Sequence, residues 1–579
     1  NYQPMHNQNN RRKFIKQTSA AAAGISMFPT LSWAESVNLK EKGANEILEK
    51  LSVLNDDLVS TLLKDQRTIP GDRWDGGVVN RFDLLNEHST AWFIVRLGSS
   101  YISEYSAYYK SEALEKPIEA ALTCLLNVQH EDGTIDLYST NFHSTPDTAF
   151  LVNYLSPVYV CLKRLRQSSM KGVVSNLERF FKNAGECLIV GGIHTPNHRW
   201  VVSSALARLN DFFPDKRYID RMEEWLGEGI DMDPDGQYTE QSVSIYSPVC
   251  NNMFLTIGRL LDRPELLENV RKNLIMSLYY IQPDGEVLTD ASNRQDNART
   301  GYINQYYYAY RYFAIKDGNP AFAAVCQLIE QQMPDRISRF LPLLLEDKIF
   351  DKKVPKASKV PDNYFKRFEH SGVFRIRRGD TDISIIEQNP TFLSFRKGEA
   401  VMQSMRLASA FFGKGQFLAE ETDFDGKVIT MKRTLTKGYY QPPTAEQRTG
   451  ENDWENIPRS TRQLSEAQTQ NWQVQISEEN GKATIEIEIT GTAYVPVSLE
   501  MSFREGGEFS GVTPDNSLDN SYFLESGVGQ YKVGKDVINF GSGAAAHKWA
   551  EMRGMLPKQK GNSVYITGHT PFKHVVELS

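Results

Sequence analysis

Apolar residues recur every three or four positions through the first part of the chain and at alternate positions through the last part. The segments EILEKLSVLNDDLVSTLL (46–63), KPIEAALTCLLNVQ (116–129), VSNLERFFKNAGECLIV (174–190), RYIDRMEEWLGEGI (217–230) and PELLENVRKNLIMSLYYIQ (264–282) predict amphipathic helices. GVFRIRRGDTDISIIEQ (372–388), KATIEIEITGTAYVPVSLEMSF (482–503) and NSVYITG (562–568) predict strands. Between them a lysine-bearing stretch with two prolines, 348–362, predicts a linker. The expected architecture is α+β: a helical domain over 45–347, then an antiparallel β domain over 363–579.

A glycine turn interrupts the helical part at a regular interval. Asp-Gly steps begin at Asp75, Asp132, Asp235 and Asp284, and Gly191-Gly192 fills the gap between the second and third. A recurrence of about 50 residues fits one helical hairpin with its turns, so stacked hairpins are expected to form an (α/α) solenoid or toroid. The residues after each glycine then line one mouth: Trp74, Arg81 and His88; Asn141, His143 and Asp147; Tyr238, Glu240 and Tyr246; Asn293, Arg294 and Arg299. Aromatic rings, amides and a few arginines around one opening suit a sugar, because rings stack on its apolar faces and amides bond its hydroxyls.

The stretch GGIHTPNHRW (191–200) holds two histidines four residues apart. Thr195 followed by Pro196 reads as a helix cap and first helical residue. His198 then lies in the first turn while His194 precedes the cap, so the two do not share a helical face and a zinc pair loses its geometry. The positive end of the helix dipole disfavours imidazolium and keeps His198 neutral, able to accept a proton. A hydrogen-bonded structural histidine is the competing reading of either residue.

Charge and composition narrow the class. The 579 residues carry a net charge of −7, which offers no broad basic field for nucleic acid. The N-terminal Arg11-Arg12, followed by a small-residue stretch from Ala20 to Leu31 and Ser32-Trp33-Ala34, reads as a twin-arginine export signal over 1–34. That stretch is too short and alanine-rich to span a membrane, and the expected location is the bacterial periplasm. The five cysteines, scattered in apolar helical contexts, read as buried free thiols.

The segments PNHRWVVSSALARL and DGQYTEQSVSIYSPVCNN resemble the Asn-His helix and the tyrosine-bearing segment of the heparinase II/III-like and related (α/α)-toroid polysaccharide lyases. The resemblance implies β-elimination on a uronic-acid glycan. Asn197 and Arg199, with the helix N-terminus, would neutralise the uronate carboxylate. His198 or His194 would remove the C5 proton, and Tyr246 would be the acid, or both acid and base. Trp74, Asn141, His143, Tyr238, Glu240 and Arg294 would bind substrate. His370 stands as a candidate for the family's further histidine from the β domain. No cofactor is implied, although a structural divalent metal is compatible. An acidic chain fits a glycan with occasional or terminal uronates, and the chain is also similar to lyases of L-rhamnose–α-1,4-D-glucuronate linkages in plant gums. Two rivals are a toroid hydrolase of unsaturated uronides, using Asp147, Asp235 or Glu240, and a non-catalytic glycan-binding protein.

Overall fold

The computed structural model describes residues 46–579, apart from 451–453, 455, 457 and 461. The segment read as an export signal lies outside the described residues. Eleven main helices follow in order: α1 (Glu46–Asp65), α2 (Glu87–Ile102), α3 (Glu112–Val128), α4 (Thr145–Leu165), α5 (Lys171–Val190), α6 (Pro196–Phe212), α7 (Lys216–Gly227), α8 (Tyr246–Leu260), α9 (Pro264–Leu278), α10 (Tyr307–Lys316) and α11 (Pro320–Gln332). The even-numbered helices pack on one another in succession and form an inner ring, and the odd-numbered ones cover it. Their sequences follow this division. In α5 the buried residues form a stripe (Val173, Leu177, Phe180, Phe181, Ala184, Leu188), whereas α6 is buried at every position from Asn197 to Leu209.

Each recurring glycine falls where an outer helix hands over to the next inner one. Gly76, Gly133, Gly236 and Gly285 all take positive φ, between +77° and +100°. At the first three a Cβ would also collide with the backbone of the next outer helix: 2.4 Å from the Ala120 carbonyl oxygen at Gly76 and 2.0 Å from that of Asn183 at Gly133. Glycine is thus required twice over at these three, by backbone conformation and by close approach, and at Gly285 by conformation. The Gly191-Gly192 step holds the same place in the repeat but not the same turn. Gly191 is extended (φ −74°, ψ 162°) and ends α5 against the Thr145 side chain.

At the C-terminal ends of the inner helices the ring is closed by the short helix Leu341–Glu346, which packs on α4 and α1. Glu346 gathers arginines from three inner helices. It accepts from Arg208 at 2.7 Å and Arg259 at 3.5 Å through its carboxylate, and from Arg164 through its carbonyl. The last repeat is thereby brought back to the first.

The segment read as a linker is strapped to the toroid: Phe350 is buried and the Ser358 amide donates to the Pro320 carbonyl. Beyond it a ten-stranded and an eight-stranded sheet form a sandwich. One core joins Phe374, Phe395 and Met405 of the first to Trp472, Ile485 and Phe540 of the second. In Lys482–Gly491 the buried residues are Ala483, Ile485, Ile487 and Ile489, the period of a half-buried strand. Thr381–Ile386 is instead buried at every position. The first strands of the ten-stranded sheet face the sandwich core on one side and the toroid on the other, with Phe368, Val373 and Ile386 in the helical core cluster. The expected antiparallel pairing holds except where Ser521–Phe523 lies parallel to Asn562–His569. All five cysteines are free and buried.

Candidate active site

The inner helices all begin at the same end of the ring, so their first turns converge there. His88 is the second residue of α2, Asp147 and His198 the third of α4 and α6, and Tyr246 the first of α8. Local capping fixes each start. Asn86 accepts from the Ser89 amide, and Ser144 accepts from the Asp147 amide. Thr195 has the extended backbone of a cap, but its side chain does not cap α6. Glu240 does so instead, its carboxylate accepting from the Asn197 amide at 3.1 Å. A protein carboxylate therefore already occupies the anion site expected at this helix start.

On one side of the opening Asp147 organises its neighbours. It accepts from His88 Nε2 at 3.1 Å, from Asn141 at 2.8 Å and from Ser144 Oγ at 2.5 Å. Burial pushes this carboxyl up, but the bonds from His88, Ser144 and Asn141 outweigh it and hold the group below the usual carboxylate range. Asp147 is therefore a fixed anion.

His198 is 9% exposed, and its Nδ1 has no hydrogen-bond partner among the described residues. Its ring meets the exposed His194 edge-on at 4.8 Å and Phe150 at 6.1 Å. Burial lowers its pKa to about 4; His194 and Arg294 push the same way, and the Asp147 charge opposes them. The ring is neutral at physiological pH.

On the other side stands the loop between α9 and α10. Arg294 lies over the Tyr246 ring at 5.3 Å and 3.6 Å from Glu240. Gln295 donates its amide to the Tyr246 phenol oxygen. Asp296 ties this loop to the one carrying Glu240 and Tyr246. It accepts from Ser242 Oγ at 2.9 Å, from the Ser244 amide and hydroxyl at 3.0 and 3.1 Å, and from Ser292 Oγ at 3.0 Å. Asn197 is 1% exposed, with its Oδ1 unpaired among the described residues.

His88, Asn141, Asp147, His194, Asn197, His198, Glu240, Tyr246 and Arg294 thus belong to one network, and five expectations fail. Arg199 follows His198 by one residue and so points about 100° round the helix. It binds Asp231 at 2.9 Å and Glu228 at 3.2 Å and lies over Trp200, away from any carboxylate clamp. Tyr238 is 2% exposed, with its hydroxyl on Asn251 and its ring stacked on Phe254, so it is core. Trp74 is 9% exposed and packs with Cys124, Val128 and Leu85 beneath Tyr138. His143, with its side chain 59% exposed, pairs with Asp132 at 2.8 Å and stacks on His130, joining the network only through the Ile135–Ser144 hairpin. His370 lies at the toroid–sandwich seam, its amide bonded to Asp235.

Cavities flank the network. One of about 450 Å³ is lined by Ile245, Gln295, Arg299 and Arg336, and another of about 510 Å³ by His88, Trp92, Arg96 and Arg339. Gln295 and Asp296 were not foreseen, because they stand in an irregular polar segment whose spacing carries no period, and Arg339 was not, because it lies in the short helical turn Ser338–Phe340 outside the glycine repeat. Among the described residues no group of three or more His, Cys, Asp or Glu could hold a metal ion, and no helix is long and apolar enough to cross a membrane.

No family model matches the chain, and no curated protein matches it. Solved structures do. The chain is similar to a chondroitin AC lyase of Streptomyces coelicolor A3 in complex with chondroitin sulphate, at 12% identity and a TM-score of 0.53, covering 93% of this chain and 80% of that one. It is also similar to heparinase III, at 11% identity and a TM-score of 0.52, covering 99% and 90%. The fold is that of the (α/α)-toroid polysaccharide lyases.

Proposed function

We propose that the protein is a polysaccharide lyase that cleaves a uronic-acid glycan by β-elimination. The observation that carries this reading is a neutral, buried histidine with an unpaired ring nitrogen, in one network with an arginine-covered tyrosine. Elimination needs three acts. A cation neutralises the uronate carboxylate and stabilises charge developing at C5; a base takes the C5 proton; an acid protonates O4 as the C4–O4 bond breaks. Arg294 is the cation, since its one carboxylate contact among the described residues, to Glu240, is long at 3.6 Å. His198 accepts the proton, and the bound uronate charge raises its basicity at that moment. Tyr246 donates to O4, and the Gln295 amide on its oxygen steadies the phenolate until a proton returns.

None of the three carboxylates that the hydrolase alternative would use, Asp147, Asp235 and Glu240, is a free acid. Asp147 is held ionised, Asp235 bonds the His370 and Ser371 amides at the seam, and Glu240 caps α6. The proposed location is the periplasm, on the reading of Arg11-Arg12 as an export signal. The proposed substrate linkage is L-rhamnose–α-1,4-D-glucuronate, as in plant arabinogalactan gums. It is favoured over a long polyanion by the net charge of −7. A screen of acidic glycans for new ultraviolet absorbance tests both levels. Absorbance with the gum and not with heparin or chondroitin is the expected result; none with any uronic-acid glycan would overturn the lyase reading.

A further inference from the structure

A third cavity, of about 170 Å³, lies where the last glycine turn meets the β-sandwich. Its floor is an ion cluster. Glu286 bonds Arg504 at 2.8 and 2.6 Å and Arg396 at 2.8 Å, which joins the turn to the ten-stranded sheet and its edge loop. Two further cations, Arg299 and Lys560, are exposed at the rim and have no ion-pair partner among the described residues. Against the four cations stand two lining carboxylates, Glu286 and Asp290, and Asp284, which pairs with Arg396 at 3.1 Å from outside the lining, so one positive charge remains in excess.

A second observation points to a ligand. Gln282 lines this cavity at 3% exposure, and its Oε1 has no hydrogen-bond partner among the described residues. A buried, unpaired acceptor costs stability unless something supplies a donor. The space therefore asks for an anionic group at the rim and a hydroxyl at the floor, in a volume suited to a single ring and not to a chain. Arg299 and Thr300 line both this cavity and the one beside Gln295. A chain occupying the active site could thus round the loop after Arg294 and reach it.

We propose that this seam cavity is a uronate-binding subsite separate from the reaction centre. The carboxylate meets Lys560 and Arg299, and a ring hydroxyl donates to Gln282. This rests on the reading of the protein as acting on uronic-acid glycans, but it is tested by binding and not by turnover. Ligand-observed NMR titration with D-glucuronate, and with D-glucose as the neutral comparison, would be run on the Arg294→Gln protein, in which uptake at the reaction centre is weakened. Glucuronate should still bind, and glucose should not. Adding Lys560→Glu, an exposed substitution, should weaken glucuronate by at least about tenfold, the scale of a charge-assisted bond replaced by repulsion. Adding Gln282→Leu should weaken it less. Equal binding of glucose, unchanged binding in the Lys560→Glu protein, or no glucuronate binding to Arg294→Gln would overturn the subsite. Failure of the lyase reading would appear separately, as absent ultraviolet product from the wild-type enzyme while the Lys560 effect on binding persisted.

Discussion

The two ends of the inner helices are built on opposite principles. At the C-terminal ends charges find each other: Arg208 and Arg259 converge on Glu346, and Arg259 also holds Asp347 at 2.6 Å, leaving the Nε atoms of the two arginines unbonded among the described residues. At the N-terminal ends His198 Nδ1 and Asn197 Oδ1 are buried without hydrogen-bond partners among the described residues, and Arg294 Nε meets Glu240 Oε1 only at 3.6 Å. Both ends lie in the same ring of helices, so the difference is not one of burial. Internal pairing spends charge on holding the ring closed. Unpaired groups cost stability and are retained where a ligand completes them.

Substitutions at the two ends should have opposite consequences. Tyr246→Phe and His198→Ala should each lower turnover by at least about a hundredfold, the range for losing a general acid or base, with urea unfolding little changed. Activity within a fewfold of wild type would make both residues packing. At the other end Glu346→Gln should cost about 3–5 kcal/mol of stability, the scale for leaving buried cations uncompensated, while kcat of the folded fraction stays near wild type. A large loss of kcat without loss of stability would show that the closed end also serves the chemistry.

The histidine makes a smaller, pH-dependent difference. Its pKa of about 4 lies below the unperturbed 6.5, so between these values the unfolded chain binds more protons than the native one. Its stabilising contribution is therefore full above pH 6.5 and lost as pH falls toward 4, by about 3 kcal/mol. Urea midpoints for wild type and His198→Asn should differ in slope across that window; parallel curves would refute a neutral buried ring. The smallest effect is expected outside the network. His143→Ala, at an exposed ion pair, should change stability by no more than about 0.5 kcal/mol and turnover by less than about threefold. A large loss would restore His143 to the site.

What could be read from the sequence follows the same division. The hairpin repeat was legible because glycine is demanded at Gly76, Gly133, Gly236 and Gly285 by φ, and at the first three also by contact with the next helix. The position of His198 at a helix start followed from Pro196, and that of Tyr246 at the mouth from the repeat. Which way a first-turn side chain faces was not legible. Arg199 is adjacent to His198 in sequence but turned onto Asp231, and Glu240 fills the helix end expected to bind substrate. Tyr238 was misplaced because the residues that bury it, Asn251 and Phe254, come from a helix further along the chain. The sandwich topology was hidden too, since alternation marks strands but not their partners.

The central claim is that His198 and Tyr246 carry out an elimination in which water takes no part in bond cleavage. Turnover in water enriched in heavy oxygen, followed by mass spectrometry of both products, tests it directly. The account predicts no solvent oxygen at the cleaved linkage and an unsaturated uronide at the new non-reducing end. One heavy oxygen incorporated per bond cleaved, with a saturated sugar on each side, would contradict it.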